Sequence, residues 1–201
     1  GLYESAAAVP EQLDRAKTAG ASFAFAGTLD GVVLGKAAGL PVLGGPTLNA
    51  FNAVALRALT ALGVDALTVS QELKLTQIDR LPKQGIPIGF PAYGRQPLML
   101  TRPIPNGLTE QDFRDPARLP ELTDRKQIRF PVARSGDACE LLNSRPLWLA
   151  DRRDEFPGAA FALLYMTTET ADDAADVLKR YELAAAPAGD FTRGLGWKGV
   201  L

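Results

Sequence analysis

Three short clusters of polar residues carry the chemistry this sequence can offer: Asn49 and Asn52, then Ser70, Gln71 and Glu72, then Tyr93 and Arg95. Together they supply amides, a hydroxyl, a carboxylate, a phenol and a guanidinium, a set able to orient a polar substrate, move a proton and stabilise negative charge. Each also has a plain structural use. Asn49 and Ser70 are good helix N-caps, Gln71 and Glu72 suit the positive end of a helix, Tyr93 suits a core whose edge meets water, and Arg95 suits a surface ion pair. What the chain lacks narrows the chemistry further. It has no histidine and one cysteine, which excludes His-based triads, disulfides, zinc fingers and a four-cysteine iron–sulfur site built from this chain alone. Cys139 has no imidazole to deprotonate it, and the nearby acids Asp137 and Glu140 favour the thiol, so it reads as a buried, inert side chain. The cluster Arg125, Lys126, Arg129 and Arg134 suits either phosphate contacts or a solvated loop; a single interleaved aromatic, Phe130, makes a thin platform for RNA. Trp148 and Trp197 read as packing or interface residues, and Gly44-Gly45-Pro46 as a tight turn without phosphate-loop spacing.

The polar clusters follow short apolar runs, and this places them. Residues 22–26, 41–43, 66–69 and 86–90 are strand-like, and helical spacing predicts segments over 29–38, 47–62 and 72–81, each closed by Gly or Pro. Strands alternating with helices at intervals of about 20 to 25 residues argue for βα units feeding a parallel sheet. In such sheets the loops at strand ends converge, so the three clusters are expected to share one polar pocket. Further strands are predicted over 128–133 and over 159–166, the latter apolar enough for burial on both faces, and a helix over 167–181 with acids in its first turn and Lys179 and Arg180 in its last. Ten of the 15 prolines follow residue 90, and 91–120 reads as loop or linker. Six βα strands, where a closed barrel needs eight, fit an open sheet or part of a barrel. The expected class is therefore α/β with parallel βα units, partially TIM-barrel-like, divided into a βα-repeat part over 1–107 and a closing segment over 108–201.

Composition agrees with a packed globular chain: 46% hydrophobic, 22% charged, with a net charge of −1 that gives no overall field for nucleic acid or acidic lipid. Residues 1–90 hold 7 basic and 7 acidic groups, and 91–201 hold 15 and 16, so the first part is mostly core. The first residues have no basic segment followed by an apolar run, and no stretch of 18 apolar residues occurs, which predicts a cytoplasmic protein without a membrane span.

Taken together, the blocks LNAFNAVALRALTALGVDALTVSQEL, YGRQPLMLTRPIP, LTDRKQIRFPV, CELLNSRPLWLAD and FTRGLGWKGV resemble the peptidase U32 family, the collagenase-like proteins, over roughly residues 22–199. The resemblance implies the later part of a barrel-type α/β fold with its C-terminal TRG segment, and peptide-bond hydrolysis as the activity. It places Asn49, Asn52, Ser70, Glu72, Tyr93, Arg95, Asp124, Arg125, Asn143, Ser144 and Arg193 at family-typical positions. On that reading Glu72 acts as general base on water, Arg95 or Tyr93 stabilises an oxyanion, and Asn49, Asn52, Ser70, Arg125, Asn143 and Arg193 bind substrate. A scaffold role in a larger U32 protein is the alternative, with a homodimer or the rest of a longer chain as partner and RNA as a weaker one. Other branches of the family are similar to iron–sulfur hydroxylase subunits for RNA or quinones. Ile104 stands where such members carry Cys, so a cluster would need cysteines from absent sequence or a partner, and no metal ligands are expected in this chain.

Overall fold

The computed structural model describes residues 8–82, 84–115, 118–155 and 158–196. In chain order the elements are α1 (Val9–Thr18), β1 (Ala24–Ala26), α2 (Leu29–Ala37), β2 (Val42–Gly44), α3 (Ala53–Ala61), β3 (Ala66–Thr68), α4 (Leu75–Ile78), β4 (Ile88–Gly94), β5 (Pro97–Thr101), β6 (Glu121–Thr123), β7 (Arg129–Ser135), β8 (Ala138–Leu142), β9 (Leu147–Trp148), β10 (Phe161–Leu164) and α5 (Ala171–Glu182). The protein is α/β. Six strands form the first sheet, five of them parallel in the order β1-β2-β3-β4-β10 with β9 pairing antiparallel to the end of β4, and four form an antiparallel sheet in the order β5-β8-β7-β6. The chain divides into two compact units, residues 1–91, 154–163 and 194–201 in the first and 92–153 and 164–193 in the second.

The first unit is built by repetition of strand, turn and helix. Thr28 caps α2 by accepting the Gly31 N–H, and Gly39 (φ +69°) lets the chain turn back into β2. Each strand then pairs one step along, Phe25 beside Leu43, Leu43 beside Ala66, Leu67 beside Ile88. Val32, Val42, Leu56, Leu67 and Ile88 are all buried and form the core. Asp65 joins a helix to the sheet: its carboxylate accepts the Val42 N–H at 2.7 Å and meets Lys36 at 3.1 Å. That backbone hydrogen bond, with help from Lys36, holds its pKa below the ordinary carboxylate value. At the sheet's outer edge Phe25 of β1 and Phe23 just before it are about half exposed.

The second unit is antiparallel and meandering. β6 and β7 form a hairpin whose turn is organised by Asp124, which accepts the N–H groups of Lys126 and Ile128 while Gln127 takes φ +62°. β7 and β8 form another through Gly136, and β5 flanks β8. Val132, Cys139 and Leu142 are fully buried in this sheet. A separate cluster joins Tyr93, Trp148, Val177 and Tyr181, with Tyr93 edge-on to Trp148 at 5.8 Å and to Tyr181 at 6.1 Å. The Tyr181 hydroxyl donates to the Ala92 carbonyl at 2.5 Å and accepts the Leu149 N–H at 3.0 Å, so a partly buried phenol is satisfied as donor and acceptor. α5 opens on a reciprocal capping box between Thr170 and Asp173.

Several boundaries differ from the sequence expectation, each for a local reason. The helix expected over 47–62 begins at Ala53, because Asn49 adopts a left-handed conformation (φ +54°) and Asn52 provides the cap. The helix expected over 72–81 is a single turn, α4. The stretch 91–120 is not merely linker: β4 runs on through Pro91 to Gly94 and β5 follows. Pro91 is tolerated because β3 makes its last pairing at Gly89, so no neighbour there asks for the missing N–H. The strand expected over 128–133 joins the antiparallel sheet, and β10 ends the parallel one with Ala162 exposed, not buried on both faces. The sequence offered no element for 9–18, where α1 lies with no buried residue.

Candidate functional site

Arg95 ties three segments of the second unit together. It follows Gly94, whose φ of +114° only glycine adopts without strain, at the end of β4. Its Nη1 donates to the backbone carbonyls of Asn143 (3.0 Å) and Ser144, and its Nε reaches the Thr168 hydroxyl at 3.4 Å. One guanidinium therefore joins the end of β4, the loop after β8 and the loop after β10. Its Nη2 has no partner among the described residues.

Beside it, the Tyr93 hydroxyl donates to Glu169 at 2.8 Å. Burial first, and Glu169 second, push the phenol far above its ordinary pKa. The other oxygen of Glu169 accepts the N–H groups of Thr167 (2.6 Å) and Thr168 (2.9 Å). All three bonds hold this carboxylate in place. Arg193 makes a similar anchor: it grips Asp151 with both nitrogens (2.6 and 2.8 Å) and donates to the Trp148 carbonyl. The bidentate bond lowers the Asp151 pKa.

Three clefts open around Arg95. One of about 590 Å³ is lined by Arg95, Glu121, Arg129, Asn143, Arg145 and Asp190 among others. A second, about 320 Å³, adds Arg118 to Arg95, Glu121 and Arg129. A third, about 260 Å³, holds Tyr93, Trp148, Glu169, Arg180 and Phe191. In the first cleft the ion pairs are loose, Arg129 to Glu121 at 3.7 Å and Arg145 to Asp190 at 3.9 Å, and well hydrated. Such pairs cost little to exchange for a ligand.

Of the residues expected to act together, Tyr93, Arg95, Asn143 and Arg193 lie in the second unit, with Arg95 hydrogen-bonded directly to the Asn143 backbone. Arg125 also belongs to it, exposed at the tip of the β6–β7 hairpin and lining none of the three clefts. Asn49, Asn52, Ser70 and Glu72 belong to the first unit. There the structural uses prevail: Asn52 spends its side-chain oxygen on the Val54 and Ala55 N–H groups, both at 3.0 Å, and the buried Ser70 accepts the Glu72 N–H at 3.4 Å. Asn49 is exposed where a short 3-10 turn ends, and Glu72 is exposed. The basic cluster does not act as a group, since Arg134 pairs with Glu110 and lies over Phe113. Glu169, Arg145 and Asp190 were missed. Glu169 reads in sequence only as an acid near a helix start, although Arg145 stands inside the quoted block CELLNSRPLWLAD. Cys139 is buried on β8 and burial pushes its thiol pKa up. Trp148 packs in the aromatic cluster, whereas Trp197 lies outside the described residues.

Fold and site define a class: an α/β protein with an open run of parallel strands and a second, antiparallel unit that presents an arginine-lined cleft. Beyond that class, the chain matches no family model, no curated protein and no solved structure. Among the described residues no helix is long and apolar enough to cross a membrane, and no three His, Cys, Asp or Glu side chains gather as metal ligands would.

Proposed function

We propose that this chain is a U32-type, collagenase-like peptidase domain whose second unit receives the peptide. One observation carries the reading: side chains from three separate blocks of the resemblance, YGRQ, NSRP and FTRG, meet around Arg95, where guanidinium groups and backbone carbonyls line a cleft of about 590 Å³. An unengaged Nη2 suits a substrate carbonyl or carboxylate. The parallel βα sheet is the part of a TIM-like barrel that the resemblance implies, and a lone reduced cysteine suits the cytoplasm. In this reading Arg95 stabilises the developing oxyanion, and the resemblance, not the geometry of the cleft, assigns the general base to Glu72 of the first unit. Tyr93 is the weaker oxyanion donor, because its proton is committed to Glu169.

A second reading, a peptide-binding scaffold without turnover, draws on the same committed groups: Tyr93, Glu169 and Asn52 are already satisfied within the protein. The iron–sulfur hydroxylase reading needs cysteines beyond this chain. Purified chain incubated with gelatin and a peptide panel separates the first two. The peptidase reading expects cleavage that falls at least about 100-fold in Glu72→Gln, the usual scale for losing a general base. Equal turnover by the two proteins removes Glu72 from the mechanism, and binding without any turnover leaves the scaffold.

A further inference from the structure

The geometry points to a substrate class for this cleft: an acidic, extended peptide, whose carboxylates meet Arg95, Arg118, Arg129 and Arg145 and whose main chain pairs with the free edge of β6. This rests on the reading that the second unit receives a peptide. Charge is the first observation. Across the two adjoining clefts four guanidinium groups face two carboxylates, Glu121 and Asp190, in a chain whose overall charge is slightly negative. The excess is local, and guanidinium forks match carboxylate oxygens in pairs.

The second observation is the edge. Val132 donates to the Pro120 carbonyl and Asp124 to that of Ile128, so in this antiparallel pair residues 120, 122 and 124 turn their backbone groups toward β7. Those of Glu121 and Thr123 turn outward, and they find no backbone partner among the described residues. An unpaired strand edge accepts another extended chain. The third observation is what already sits in the cleft. The segment Asp190–Thr192 runs extended beside β9, exchanging hydrogen bonds with Pro146 and Trp148, and sets its Asp190 carboxylate 3.9 Å from Arg145. The cleft thus already seats one carboxylate of the chain against a guanidinium. A nucleic acid fits less well, since the Arg193 guanidinium covers one face of Phe191 at 4.6 Å and Trp148 is buried, which leaves little ring surface for bases to stack on.

Fluorescence anisotropy of the full chain tests this with labelled alternating Glu-Ala, Gln-Ala and Lys-Ala peptides and an oligouridylate. The Glu-Ala peptide is expected to bind tightest and to weaken as salt shortens the Debye length from about 30 Å at 0.01 M to about 8 Å at 0.15 M. Arg129→Gln is expected to weaken it roughly tenfold, and Glu121→Gln to tighten it severalfold by removing a competing carboxylate. Arg57→Gln, at an exposed position of α3 in the first unit, should leave it unchanged. Equal binding of the Gln-Ala peptide, indifference to Arg129→Gln, or tighter binding of the oligouridylate would overturn the inference. Binding of the acidic peptide with no cleavage of any peptide overturns the peptidase reading alone; cleavage of gelatin with no preference for acidic peptides overturns this inference alone.

Discussion

The two units spend their polar residues differently. In the first, Thr28, Asn52 and Ser70 point their oxygens back at nearby backbone N–H groups and Asp65 bonds the sheet, so polarity is consumed in holding helices and strands together. In the second, Arg95 and Arg129 at strand ends and Arg145 in the loop between β8 and β9 line open space. Parallel βα repeats demand a cap at every turn from strand to helix, and hairpins demand almost none, which frees the second unit's loops for binding. A polar residue at a strand end is therefore not evidence of function until the helix that follows has been given its cap.

The sharpest way to break this contrast is to damage the backbone that delivers Arg95. A methyl group at Gly94 would overlap the Tyr165 carbonyl, at a φ of +114° that L-residues rarely adopt. Gly94→Ala is expected to cost more than about 4 kcal/mol, read in urea unfolding, because neither the backbone clash nor the strain relaxes cheaply. A variant of native stability would mean that β4 can end without this turn, and the delivery argument would fail with it.

Smaller, and dependent on pH, is the anchor of the FTRG segment. Arg193→Ala leaves the partly buried Asp151 carboxylate and the Trp148 carbonyl without their donor, and is expected to cost about 2 kcal/mol at neutral pH. Because the folded Asp151 pKa lies below its unfolded value, the pair's contribution is complete above the unfolded pKa and is lost as pH falls through the folded one. The gap between wild type and Asp151→Asn should therefore close in acid. A gap that is the same at pH 7 and in strong acid would show that packing, and not charge, carries the anchor.

How much of this was readable in advance follows the same division. The parallel strands announce themselves as short apolar runs before Gly-closed helices, so β1 to β4 and their order along the chain were legible. The antiparallel sheet was largely not: β5 reads as PLML among prolines, β8 as ACELL beside a glycine turn, and pairing as distant in sequence as Pro97 with Leu142 or Thr101 with Cys139 leaves no local period. The site split likewise. Arg95 with Asn143 was legible as two quoted blocks, but their bond runs through the Asn143 backbone, which a side-chain reading does not anticipate. Asn52 failed the other way, since the same side chain serves a substrate amide or two helix N–H groups, and only the first turn of α3 decides between them.

That ambiguity also gives the smallest and most discriminating prediction. Asn52→Ala removes the acceptor for two N–H groups and should lower stability by about 1 kcal/mol, as cap losses do, while leaving peptide binding intact. Asn52→Asp retains an acceptor at the same position and should restore most of the loss. Arg95→Ala should reverse the pattern in the second unit, weakening peptide binding by roughly tenfold or more while the buried sheet residues Val132 and Leu142 keep their packing. If Asn52→Ala weakens peptide binding as much as Arg95→Ala does, its oxygen serves ligand as well as helix, and the division between a unit that holds the fold and a unit that meets the substrate dissolves.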